Sequence, residues 1–184
     1  SDAAGLATAQ ILFPVATDNC DADVTNIVKL SGGFVAGSCP EAGTYTNTWT
    51  VTDACSNVSA VYTQVITIID TQAPAWTTAA NFLDRTVQCS DAAGLATAQA
   101  LVPVATDNCD VSLTPVKTSG LFAVGSCPQA GTYTNTWTVS DDCSNAVLDV
   151  FTQTITIIDN TRPTWTTAAN FLDRTVQCSD AAGL

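Results

Sequence analysis

Gly43-Thr44-Tyr45-Thr46-Asn47-Thr48-Trp49-Thr50-Val51-Thr52-Asp53-Ala54-Cys55-Ser56-Asn57 reads as a long β-strand that runs into a turn. Successive side chains of a strand point to opposite sides, so Tyr45, Trp49 and Val51 share one face and Thr46, Thr48, Thr50 and Thr52 the other. One face is therefore apolar and the other wet, as a half-buried sheet requires. Gly43 and the Asp-Ala-Cys-Ser-Asn run supply turn chemistry at the two ends. The stretch recurs as Gly131-Thr132-Tyr133-Thr134-Asn135-Thr136-Trp137-Thr138-Val139-Ser140-Asp141-Asp142-Cys143-Ser144-Asn145, and it is expected to be the central strand of a repeated unit.

The repeat extends over the whole chain. Ser1-Asp2-Ala3-Ala4-Gly5-Leu6 returns at Ser90 and at Ser179, 89 residues apart each time. One residue is lost between Cys109 and Lys117 relative to Cys20 and Lys29, and one is regained near Ala146. Loops tolerate such changes, which places both sites in loops. The chain starts and stops within the same motif, so it reads as a window on a longer array. The natural boundaries are the Pro-bearing linkers Asp70-Thr71-Gln72-Ala73-Pro74 and Asp159-Asn160-Thr161-Arg162-Pro163. On that frame residues 1–70 are a unit without its first strand, 71–159 a complete unit, and 160–184 the first strand and helix start of a third.

Within residues 71–159, Ser90 is expected to cap a short helix over 91–99, weakened by Gly94. Strands are expected over 101–106, around 113–118, along 131–139 and over 150–158. In the last of these Phe151, Ile155 and Ile157 face inward, and Thr152, Thr154 and Thr156 face outward. Short strands with turn signals between them predict an all-β fold of tandem immunoglobulin-like β-sandwiches, disulfide-stapled, with a short helix after the first strand.

Composition removes several functions. The net charge of −12, from 17 acidic and 5 basic residues, disfavours nucleic acid and anionic lipid as partners. No apolar run is long enough to insert in a membrane. Without histidine, Ser-His-Asp, Cys-His and His-ligated zinc chemistry are excluded. No Cys-x-x-Cys pair occurs, so the 8 cysteines read as a disulfide framework of an oxidising, extracellular compartment. No enzymatic function is expected.

The runs Ala105-Thr106-Asp107-Asn108-Cys109-Asp110, TYTNTWTVTDACSN (44–57) and TQTITIIDNTRPTWT (152–166) together resemble the HYR-like repeats of giant cell-surface adhesins of gliding Bacteroidota, the SprB-type gliding-motility adhesins. The resemblance covers the whole chain. It implies an immunoglobulin-like fold, export by type IX secretion, a cell-surface filament and no catalytic residue. Repeats of that family often carry Gly where Ser56 and Ser144 stand here.

Sandwich topology suggests how the cysteines pair. Cys109 and Cys143 fall at one pole, Cys89 and Cys127 at the other. The expected bridges are Cys20–Cys55, Cys109–Cys143 and Cys89–Cys127, with Cys39 and Cys178 pairing outside this stretch. The rival set joins Cys109 to Cys127 and Cys89 to Cys143. Asp107, Asp110, Asp141 and Asp142 lie at the first pole, and head-to-tail stacking would bring Asp70 to them. These five are the candidate calcium ligands, against the alternative that each simply closes a turn. Trp76 and Trp165, after the linker prolines, are candidates for packing between units. Two functional readings remain: stalk or adhesive repeats of an extracellular filament that touch neighbouring repeats of the same chain and an external surface or polysaccharide, or a multivalent glycan- or surface-binding module with a weak site per repeat.

Overall fold

The computed structural model describes residues 3–178 and is mostly β. Its elements in chain order are α1 (Ala3–Gln10), β1 (Ile27–Ser31), β2 (Val35–Ala36), β3 (Gly43–Val51), β4 (Tyr62–Ile68), β5 (Ala75–Trp76), β6 (Arg85–Gln88), α2 (Ala92–Gln99), β7 (Ala105–Thr106), β8 (Val116–Ser119), β9 (Ala123–Val124), β10 (Gly131–Thr138) and β11 (Phe151–Ile158).

The two long copies of the opening stretch, β3 and β10, are each the middle of a sheet. β3 pairs antiparallel with β1, β2 and β4; β10 pairs antiparallel with β8, β9 and β11. The registers agree: Asn47 faces Gln64 and Trp49 faces Tyr62, just as Asn135 faces Gln153 and Trp137 faces Phe151. The second sheet gains a parallel edge, β6 alongside β11, so its order is β6-β11-β10-β8. At Gly131 an added Cβ would lie 2.1 Å from the Ala123 carbonyl oxygen, so only glycine lets β9 close onto β10.

Alternation sorts the side chains as the sequence indicates. Trp137, Val139, Phe151, Ile155 and Ile157 are buried, whereas Thr134, Thr138 and Thr152 are exposed. The core has two parts. Val87, Ala98, Ile155 and Ile157 form one, with Leu95, Phe122 and Tyr133 against it. Leu83, Trp137 and Phe151 form the other, with Trp76 and Leu101 against it. Helix α2 thus covers one end of the sheet and the segment around β5 the other.

Several expectations change. The strand expected over 101–106 is reduced to β7, paired only with β5; Pro103 has no amide hydrogen to contribute to a ladder. The layer facing the large sheet is therefore a helix and a two-residue strand pair rather than a second long sheet. Asp91, not Ser90, caps α2, its carboxylate accepting from the Gly94 amide at 2.8 Å. An added Cβ at Gly94 would lie 2.2 Å from that carboxylate, so the glycine that lowers helix propensity is also what admits the cap. Trp76 packs within its own unit, edge-on to Phe151 at 5.6 Å, with its indole N–H donated to the Asp149 carbonyl at 2.7 Å. Trp165 is 95% exposed.

The inward faces also hold a polar cluster that alternation alone does not reveal. Asn135 and Gln153 are both 0% exposed. The Asn135 amide donates to Gln99 Oε1 at 2.8 Å and to Gln153 Oε1 at 2.9 Å. Gln153 Nε2 in turn donates to the carbonyls of Leu83 (2.7 Å) and Ala98 (3.1 Å), tying the sheet to the chain before β6 and to the end of α2. Lys117 Nζ donates to the Gln99 carbonyl and sits 5.3 Å from the Trp137 ring centre; the loss of water around it lowers its pKa from the ordinary lysine value. Asn47, Gln64, Gln10, Lys29 and Trp49 repeat the arrangement in the first sheet. The amide nitrogens of Asn47 and Asn135 are each doubly partnered while their Oδ1 atoms are buried without a partner, and the fixed donor contacts specify one register.

Candidate functional site

The candidate site lies where the two sheets follow one another, around the linker after β4. The loops that reach it from the second sheet are shaped by aspartates. Asp107 Oδ1 accepts from the amides of Cys109 (2.8 Å) and Asp110 (3.0 Å). Asp110 accepts from the Ser112 amide at 2.8 Å and from the Asp142 amide at 3.2 Å, which joins this loop to the turn after β10. Asp141 closes that turn: its carboxylate takes the Asn145 amide at 2.7 Å and the Asn145 side chain at 2.8 Å.

The turn places Ser144 at φ 71°, and the matching turn after β3 places Ser56 at φ 69°. That left-handed region suits glycine, so both serines hold a backbone conformation that costs a residue with a side chain. In the first copy the Asn57 side chain, followed by its backbone amide, holds the Asp53 carboxyl below its ordinary pKa.

The five expected calcium ligands separate into two groups. Asp110 and Asp141, each 7% exposed, use their carboxylates as turn acceptors, and Asp142 is exposed. Asp70 and Asp107 do come together, with ligand atoms of Asp70, Asp107 and Cys109 all within 4.8 Å of one another. Asp70 Oδ2 and Asp107 Oδ2 are buried without a hydrogen-bond partner. The linker aspartate therefore lies at the Asp107 loop, and the Asp70 carbonyl also accepts from Asn145 Nδ2 at 3.4 Å.

The cysteine pairing is corrected. Cys143 is bonded to Cys39, not to Cys109, with Cα atoms 5.1 Å apart and a sequence separation of 104. Cys39 therefore finds its partner within this chain. Cys20, Cys55, Cys89, Cys109, Cys127 and Cys178 are thiols, so neither Cys20–Cys55 nor Cys89–Cys127 is formed, nor are the rival Cys109–Cys127 and Cys89–Cys143 bridges. The expectation that Cys109 and Cys143 share a pole holds, since their loops are hydrogen-bonded through Asp110 and Asp142. It fails on the partner because it closes each unit on itself. The end of the preceding sheet abuts that pole, and Cys39, just before β3, lies closer to Cys143 than its own unit's cysteines do. The signal in the sequence is the position of the cysteines at both poles, which serves bridges across a junction as well as bridges within a unit.

A cleft at the junction is lined by Phe34, Glu41, Tyr45, Ile68, Asp70 and Cys109, among others. The corresponding end of the second sheet carries Phe122, Gln129, Tyr133, Ile157 and Cys89 around a similar cleft. No helix among the described residues is long and apolar enough to cross a membrane. No curated protein matches the chain. Residues 77–157, which run from directly after β5 to the penultimate residue of β11 and include Cys89, Cys109, Cys127 and Cys143, match the family model of the HYR-like domain with 4 cysteines, and this supports an HYR-like repeat in that part of the chain.

Proposed function

We propose that this chain is a stretch of tandem immunoglobulin-like, HYR-like repeats, with an 89-residue period, in the stalk of a long extracellular surface filament. HYR-like domains are generally associated with cell adhesion and are typically extracellular. The single observation that carries the stalk reading is the Cys39–Cys143 bridge, which ties one sheet to the next where a flexible linker would otherwise suffice. The resemblance to SprB-type adhesins extends the reading to gliding motility and type IX export. The stalk transmits load and requires neighbouring repeats and an outer surface as partners, with no catalysis. Electron micrographs of the native protein are expected to show a thin fibre with a regular axial repeat; compact particles would overturn the reading. If the repeats instead bind glycans, a glycan array probed with a tandem chain lights up.

Calcium between Asp70 and Asp107 belongs to the same reading, as a stiffener of the junction. Two carboxylates whose inner oxygens lack donors repel one another unless a cation lies between them. Millimolar calcium is expected to raise the melting temperature of the chain but not that of Asp107→Asn. Calorimetry without heat, together with a melting temperature indifferent to chelator, removes the ion from the account.

A further inference from the structure

We infer that every junction between repeats carries two cross-unit disulfides, and that these shorten the load-bearing covalent path of the filament to two segments per repeat. Each repeat presents two cysteines at each end. At the end that receives the preceding unit stand Cys109 and Cys143; at the end that meets the following unit stand Cys89, in the cleft with Gln129, and Cys127, in the turn between β9 and β10 where Gly131 faces Ile157. Repeat by repeat, Cys39 corresponds to Cys127 and Cys55 to Cys143. The observed bridge therefore joins the forward cysteine before one central strand to the cysteine after the next central strand. Applied to the next junction, the same rule sends Cys127 forward to a following unit and Cys55 back to a preceding one.

The second rung follows from geometry. The amide of Cys89 donates to the Ile158 carbonyl at 2.8 Å, so this cysteine lies at the tip of β6 beside the linker that begins with Asp159. Asp70 is the equivalent of Asp159, and Cys109 lies against Asp70. A Cys89-type residue of the first unit would stand immediately before Ser1, next to Asp70 and so facing Cys109. Residues 163–184 copy 74–95 apart from Thr164 for Ala75, so the chain carries the opening of a further unit with Cys178 in the same place. Each rung forms when two thiols lose two protons and two electrons to a disulfide oxidant, which leaves as two thiols.

Tension then enters a repeat at Cys143 or Cys109 and leaves at Cys127 or Cys89. The shorter route, Cys143 to Cys127, is 16 residues along β10. Even drawn straight it measures about 55 Å, against about 300 Å for an unfolded 89-residue repeat. β11 and the linker lie outside the tensioned path.

This inference rests on the extracellular placement proposed above, because the rungs need an oxidising compartment. Its test is separate from adhesion. The chain is extended before Ser1 by Arg-Thr-Val-Gln-Cys, the sequence of 85–89, oxidised, and mapped as non-reduced peptides, with Arg-Thr-Val-Gln-Ser as the control. The added cysteine is expected to bridge Cys109 while Cys39–Cys143 persists; its capture by Cys39 or Cys20, or Cys109 left as a thiol, overturns the second rung. Pulled by its ends, the oxidised 184-residue chain is expected to lengthen about 35 nm less than the reduced chain, the length of the 104 residues held by the bridge. Equal contour lengths in the two states overturn the shortened path.

Discussion

Cys143→Ser is expected to be among the most damaging single changes in this chain. The bridge it removes spans 104 residues and encloses both central strands, β3 and β10. In the chain-entropy model a loop of that size contributes about 4.7 kcal/mol by restricting the unfolded ensemble. For a chain of this length that corresponds to a fall in melting temperature of about 10 °C or more. Cys39→Ser should match it, and the double variant should cost no more than either single one, because both remove the same bond. The control lies in the first copy. Cys55 occupies the same place after β3 but is an exposed thiol, so Cys55→Ser should change stability by less than about 0.5 kcal/mol. Denaturant unfolding of the four proteins, with and without reductant, checks this. Equal stability of Cys143→Ser and Cys55→Ser would show that the bridge does not constrain the chain.

Trp137→Ala is expected to cost about 3–5 kcal/mol, the range for removing a buried tryptophan from a packed core. Trp137 is 1% exposed and lies in the cluster with Leu83 and Phe151, the Phe151 ring 6.0 Å away and edge-on. Its loss would also strip the apolar ring from beneath Lys117. Trp137→Phe should recover most of the difference, because the indole N–H has no partner in the core and its removal costs no hydrogen bond. Trp165→Ala, at an exposed tryptophan, should be silent. Near-ultraviolet dichroism and urea midpoints read the series. A small loss for Trp137→Ala would mean that the second core cluster does not hold the sheet.

What the residues disclosed and what they concealed have physical causes. The alternation of Tyr45, Trp49 and Val51 with threonines identified both central strands and their buried faces, because a period of two leaves little freedom once one face is apolar. The same period puts Asn47 and Asn135 on the buried face, where a polar residue is easily read as turn chemistry. Their inward position becomes clear only from the partners Gln64 and Gln153, which are distant in sequence and adjacent in the sheet. The helix was legible from Ser90 onward, but its cap depends on the approach of Asp91 to Gly94, a side-chain contact with no periodic signature. At the site, Asp70 and Asp107 were placed together by assuming head-to-tail stacking. Asp110 and Asp141 looked equivalent to them in sequence and differ only in which oxygens the loop amides occupy. The disulfide partner was hidden because topology constrains poles, and two repeats share each pole.

The bond from Cys39 to Cys143 also sets a schedule for biogenesis. A chain emerging from its amino end shows Cys39 to the oxidant 104 positions before the sulfur it is meant to meet. During that interval the thiol is open to exchange with Cys20 or Cys55 of its own unit, and such early pairs must be reversible for the mature one to form. The first sheet is covalently finished only once the turn after β10 has formed, so its maturation trails its synthesis by the span of that loop.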